Sequence, residues 1–295
     1  MADLAELVAA TRSDLDEATA AFWSNAELVR WINRGKDYTW QKAVEADEDY
    51  GLTFFDFDIA SGTDTYSIQS DVLRVRRVER IFPNDSSRVP IPWYPIDLNQ
   101  KGRYGVNPIS ETSYRYLMEA NRFRIVPIPN SAVAGTSNGR VWYIPKLGDL
   151  HSGTASTGTT TSITFPSSAT LGSVSRVNDY YNGLDIIITG GTGIGQIRRI
   201  SDYNGSTRVA TPSPDFTTAP ASDSTYSLLM PIPDSFHYLS SMYASIRGFI
   251  KDEANKKQIQ EEFDRLLIQF IQSIGHRQNQ ESRGVNYIED EQIIV

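Results

Sequence analysis

The chain has 295 residues, enough for one large domain or two moderate ones. Its 40% apolar and 22% charged content is that of a globular protein, and a formal net charge of -8 argues against a general nucleic-acid coat, which needs excess Lys and Arg. The absence of Cys excludes disulfides, thiolate nucleophiles and Cys-based metal sites, and no apolar run reaches membrane-spanning length.

Met1-Ala2-Asp3-Leu4 lacks the basic and apolar segments of a secretion signal, so cytoplasmic synthesis is expected. Residues 3–12 predict a short helix, with Leu4, Leu7 and Val8 on one stripe. Ser24-Asn25-Ala26-Glu27 has capping-box spacing, and Leu28, Trp31, Ile32 and Tyr38 carry the helix on towards Ala46. Gly35 is a weak point within it. The acidic run Asp47-Glu48-Asp49 suits a loop, because the partial negative charge of a helix C-terminus repels it.

From Phe54 the period changes to two. Phe55–Ile59 alternates apolar and acidic residues, Ser61–Asp64 is a turn, and Thr65–Ile68 predicts a second strand. Leu73–Phe82 predicts a third, closed by Pro83–Ser86; after a proline-rich stretch a short helix starts at Ile96–Leu98. Phe123–Pro127 and Arg140–Pro145 are expected to pair, with Gly135–Gly139 as the loop between them.

From His151 to Leu229 there is no Lys, Glu or Met. Strands are predicted at Ser162–Phe165, Asp185–Thr189, Gln196–Ile200, Thr207–Ala210 and Thr225–Leu228. Their turns are Tyr181–Gly183, Gly190–Gly195 and Asn204-Gly205, the pattern of a small barrel or sandwich. Pro231–Asp234 punctuates the return to a long helix from Asp234 to Ile274, bent or broken at Lys251–Lys257. The expected fold class is therefore α+β. N-terminal helices with a small sheet beside them and C-terminal helices (1–149 and 230–275) form one adaptor domain, in which the helical pieces of both ends pack into a common core. An all-β domain (150–229) is inserted as an appendage, and a flexible tail (276–295) follows.

Few residues invite chemistry. Gly190-Gly191-Thr192-Gly193-Ile194-Gly195 has the look of a phosphate loop, but an alternating strand pattern follows where a helix is required, so a hairpin is preferred. Asp56 and Asp58 share an outward strand face without a third ligand, which favours a solvated surface over a metal site. His237 suits a packing role at a helix end. Arg74, Arg76, Arg77 and Arg80 form the densest basic cluster, which either faces DNA or an acidic partner or guards a strand edge. Trp93, Tyr94, Trp142 and Tyr143 could stack sugars, but a core or subunit-interface role is preferred. No residue is assigned to catalysis, a cofactor or a metal.

Phe22-Trp23-Ser24-Asn25-Ala26-Glu27-Leu28-Val29-Arg30-Trp31-Ile32-Asn33-Arg34-Gly35 resembles the opening helix of head-to-tail adaptor (connector) proteins of tailed bacteriophages. Val141–Lys146 and Pro231–Leu239 resemble the strand and proline-rich link that lead into that family's C-terminal helix; here the link is interrupted. The interrupting segment, through Tyr180–Gly193, Gly195–Arg198 and Asp202–Gly205, looks like a β module carried by phage structural proteins. The resemblance implies a non-enzymatic virion protein at the head–tail junction, in the host cytoplasm during assembly. It implies a homo-oligomeric ring, a dodecamer, that joins the portal protein to tail or neck proteins and passes DNA through its lumen without sequence readout, with no membrane partner. The arginine cluster and the four aromatics are then interface candidates, and Tyr287, Ile288, Ile293 and Ile294 a portal-binding tail. The alternative is a carbohydrate- or receptor-binding protein acting through the β insert.

Overall fold

A computed structural model of the chain describes residues 2–17, 22–104, 113–253 and 255–281. The fold is mixed α+β, with five helices and two sheets among the described residues. Helix α1 (Leu4–Asp14) starts on an Asp3–Glu6 capping box, and α2 (Asn25–Ala46) on Ser24, whose hydroxyl accepts from the Glu27 N–H. The Glu27 carboxylate turns away from its own helix end to meet Lys251 Nζ at 2.6 Å.

The first sheet follows, with β1 (Thr53–Ile59), β2 (Thr65–Ser67), β3 (Val72–Arg80) and β4 (Ile91–Pro95). A 3₁₀ turn leads into the four-residue α3 (Lys101–Tyr104), and β5 (Arg115–Glu119), β6 (Arg122–Val126) and β7 (Gly135–Pro145) complete it. The order is β1-β7-β3-β4-β5-β6-β2. Two expectations are corrected. Strand β6 pairs with β5 and β2, not with β7, and Gly135–Gly139 is the start of β7 and not a loop. The reason is that β7 is long enough to lie between β1 and β3, while the tight Ala120-Asn121 turn already gives β6 a neighbour. The sheet curls until Phe57 of β1 meets Phe123 of β6, ring centroids 5.2 Å apart. Its core holds Ile59, Val78, Trp93, Phe123, Ile125 and Val141.

The second sheet contains β8 (Ser152–Thr154), β9 (Thr157–Gly158), β10 (Ile163–Thr164), β11 (Asp185–Gly190), β12 (Ile197–Asn204), β13 (Val209–Ser213) and β14 (Thr225–Leu229). Its order is β8-β14-β11-β12-β13-β10-β9. The two end strands are consecutive pieces of one stretch, broken at Ala155-Ser156, so the sheet wraps round into a small barrel. Phe165, Tyr181, Tyr203 and Tyr226 fill it around the fully buried His151.

The glycine run is the β11–β12 hairpin. Gly191, Gly193 and Gly195 all have positive φ, and a Cβ on Gly191 would lie 2.2 Å from the Asp223 carbonyl oxygen. Gln196 locks the loop, donating to the Gly193 and Thr218 carbonyls and accepting from the Thr217 and Thr218 amides. A strand follows, not a helix, so the loop has no helix N-terminus to offer a phosphate.

The chain returns through α4 (Leu239–Lys251) and α5 (Lys257–Glu281). The polar stretch at 251–257 is thus a turn between two helices. Helix α5 runs past residue 275, where the tail is expected to begin, and Tyr287, Ile288, Ile293 and Ile294 lie outside the described residues. Gly35 is a close crossing and not a weak point: a Cβ there would sit 2.8 Å from both the Ser240 carbonyl oxygen and Tyr243 Cβ of α4.

The terminal helices meet as expected, but their core does not stop there. Leu4, Leu28, Ile32, Leu239 and Phe270 belong to one continuous cluster with Leu150, Phe165, Ile186 and Leu228 of the barrel segment. The Leu4 N–H donates to Ser227 Oγ of β14 at 3.0 Å. Helix α2 also clamps the link between the sheets. Asn33 accepts from the Leu150 N–H at 2.6 Å and donates to the Leu150 carbonyl at 3.2 Å. Lys36, fully buried, donates to the carbonyls of Leu147 and Gly148, and Trp40 Nε1 donates to Pro145 O at 2.9 Å. Residues 33, 36 and 40 fall on one helical face, so α2 grips successive carbonyls along 145–150.

Candidate assembly surface

Strand β4 covers β3 only over Val78–Arg80, so Arg80 lies within the sheet, while Arg74, Arg76 and Arg77 lie on a stretch of β3 that pairs with β7 on one side alone. They also point different ways, because bulges interrupt the β3–β7 register between Val72 and Arg74 and between Val75 and Arg77. Arg74 is exposed, with no ion-pair partner among the described residues. Arg76 binds Glu48 at 2.7 Å and Asp49 at 3.1 Å, which compensates the acidic run at the end of α2. Arg77 holds the buried Glu79. Arg80 is buried, donating to the Ala132 carbonyl and lying over the Phe82 ring. Arg80 is therefore removed from the candidate interface.

The aromatic candidates divide in the same way. Trp93 is 1% exposed and packs on Tyr114 in the first core, while Tyr94, the next residue on β4, is 60% exposed beside the Arg115 guanidinium. Tyr143 is buried and donates to Asp71 Oδ2 at 2.7 Å. Trp142 is half-buried on the outer face, and its Nε1 donates to Glu79 Oε1 at 2.7 Å. A sugar-stacking platform of these four rings does not form, because alternation along β4 and β7 turns one of each pair inward.

The outer face instead carries an aromatic and ionic strip that the sequence reading missed. Phe54 and Trp142 are cross-strand neighbours, and so are Asp56 and Arg140. Arg140 makes a bidentate pair with Asp56, at 2.7 and 3.0 Å, while its guanidinium covers the Phe54 ring at 3.8 Å. Asp58 accepts from the Ser137 N–H. Both acidic residues of β1 are thus committed to the sheet surface, in keeping with the solvated-face reading. No group of three or more His, Asp or Glu side chains among the described residues could hold a metal. His237 is buried, its Nε2 at 3.0 Å from the Ile232 carbonyl, as its packing role requires. No helix among the described residues is long and apolar enough to cross a membrane.

Where the first sheet meets the barrel, a cleft of about 760 Å³ opens. One wall is Tyr50, Leu52, Phe54 and Phe55 at the start of β1; the other includes Asp179, Ser201 and Asp202. Burial and the neighbouring Asp202 carboxylate raise the Asp179 pKa. Neither carboxylate has a Lys or Arg partner within ion-pair distance among the described residues. Strand β1 is the last in its sheet, so one of its edges is open beside this cleft.

Two buried ionisable groups near this junction oppose each other. Burial pushes the Asp71 carboxyl up to about 6 and the His151 imidazole down to about 3. The unfolded chain protonates His151 near 6.5, so acid favours unfolding: the contribution of neutral His151 is full above pH 6.5 and is lost as pH falls towards 3. Folded Asp71 keeps its proton up to about 6 and the unfolded chain releases it near 3.8, so the folded state gains as pH falls between them. The two slopes, each at most about 1.4 kcal/mol per pH unit, cancel in the parent chain between pH 6 and 4. Urea unfolding at pH 4, 5, 6 and 7 is expected to show Asp71→Asn losing stability as pH falls and His151→Phe gaining it, relative to the parent. Parallel profiles for all three chains would refute the assignment.

No curated protein matches the chain. A family model described as SU10 adaptor protein matches residues 2–287, through the helices and both sheets alike. The chain belongs to the SU10 adaptor protein family and is a phage adaptor-type protein.

Proposed function

We propose that the chain forms a ring, a dodecamer, that joins the portal to the tail of a phage and lets DNA pass through its lumen without reading sequence. The observation that carries this reading is the family match over residues 2–287, which treats the barrel and the helical scaffold as one unit. The physics is compatible with it. A net charge of -8 disfavours a tight grip on passing DNA, and a ring multiplies weak contacts into a durable joint. The ring resides at the head–tail junction of the virion and is made in the host cytoplasm. Its partners are portal, tail or neck proteins and copies of itself. The carbohydrate-binding alternative gains no support from the barrel's largest rings, since Phe165, Tyr181, Tyr203 and Tyr226 are all buried in its core.

Electron microscopy of the purified chain, alone and mixed with portal rings, tests the proposal. Ring particles, or rings stacked on portal, are expected. A chain that stays monomeric and ignores both portal and tail rings would refute it.

A further inference from the structure

We infer that neighbouring copies in the ring join head to tail, with the β3–β4 loop of one copy seated in the cleft between the first sheet and the barrel of the next. This rests on the ring reading above and names the contact that would build it.

The loop, residues 81–90, connects Arg80 to Ile91 at the Gly139 end of the first sheet. The cleft lies at the other end, where Val72 faces Pro145 and Thr53 faces Tyr143. Strand β3 runs between the two, roughly 26 Å at ~3.3 Å per residue. A projection and a recess on opposite ends of one subunit make a heterologous contact, which repeats round a ring and does not close as a two-fold dimer.

The chemistries match. Residues 83–90 are exposed throughout, and Val89 near their end is 79% exposed, so an apolar side chain stands at the tip of the projection. The cleft offers it Leu52, Phe54 and Phe55. Beside Val89, the exposed Arg88 lies over the Phe82 ring, with the Asp85 carboxylate of its own loop within electrostatic reach. The cleft offers that guanidinium Asp179 and Asp202, two adjacent carboxylates with no Lys or Arg within ion-pair distance among the described residues. An acidic chain that must associate with itself needs such local complementarity to overcome like-charge repulsion.

The chain contains no Cys, so introduced thiols report the contact directly. A chain carrying both Leu52→Cys and Val89→Cys, assembled and mildly oxidised, is expected to give a ladder of covalent multimers on a non-reducing gel. Each single variant is expected to give none beyond a dimer. Independently, Arg88→Asp and Asp202→Arg should each weaken self-association at least about tenfold by ultracentrifugation, and the two together should restore it. Rings that form without the ladder, or losses that merely add in the charge swap, would overturn this contact and leave the ring standing. A chain that forms no ring under any of these conditions overturns both.

Discussion

Excision of residues 150–229, with Asp149 bridged to Met230, is expected to yield an insoluble or molten chain and not a trimmed, cooperatively melting adaptor. Composition alone suggests the opposite, since the segment looks like a separable appendage. The packing reverses that expectation. Ala2 and Leu7 of the N-terminal segment enclose a small void with Leu150, Leu229 and Met230, and Ala5, Val8 and Ala9 flank Leu171. Removing the barrel uncovers Leu4, Leu7, Val8 and Val29. At roughly 1.5–3 kcal/mol for each large side chain returned to water, the cost is up to about 6–12 kcal/mol. That is the whole stability of a typical domain. Circular dichroism melts and dye binding to exposed apolar surface would check it; a sharp, reversible transition in the truncated chain would show that the barrel is separable after all.

The second large effect is expected at Asn33. Asn33→Ala leaves both the N–H and the carbonyl of Leu150 buried without partners, since Asn33 serves each of them. One unsatisfied buried group costs about 1–3 kcal/mol, so a loss of roughly 2–6 kcal/mol is expected in urea unfolding. Trp40→Phe keeps most of the apolar contact and removes the bond to Pro145 O, for a loss of about 1 kcal/mol. A change below about 1 kcal/mol in Asn33→Ala would mean that water replaces the clamp freely and that α2 does not fix the link between the sheets.

Much of the local structure was legible from one-dimensional pattern. The apolar stripe and the Ser24 cap placed α2 to within a residue of its ends, and alternation in Phe55–Ile59 placed β1 and the outward acids. The Gly191-Thr192-Gly193 hairpin followed from turn chemistry, because glycine tolerates the positive φ that the turn demands. The clamp left a readable trace as well: Asn33 and Lys36 interrupt an otherwise apolar face of α2, the mark of polar groups with buried partners.

What the sequence alone determined was the succession of elements, the loss of Lys, Glu and Met between His151 and Leu229, and the residues that resemble a phage adaptor. What only the tertiary structure decided was which elements share a core and which side chains remain at the surface. Pairing β7 with β1 and β3, burying Arg80, Trp93 and Tyr143, and joining the barrel to the terminal helices all depend on residues far apart along the chain. Periodicity tells which residues of a strand share a face; it is silent on what that face meets, because non-local contacts are selected by the packing of the whole molecule.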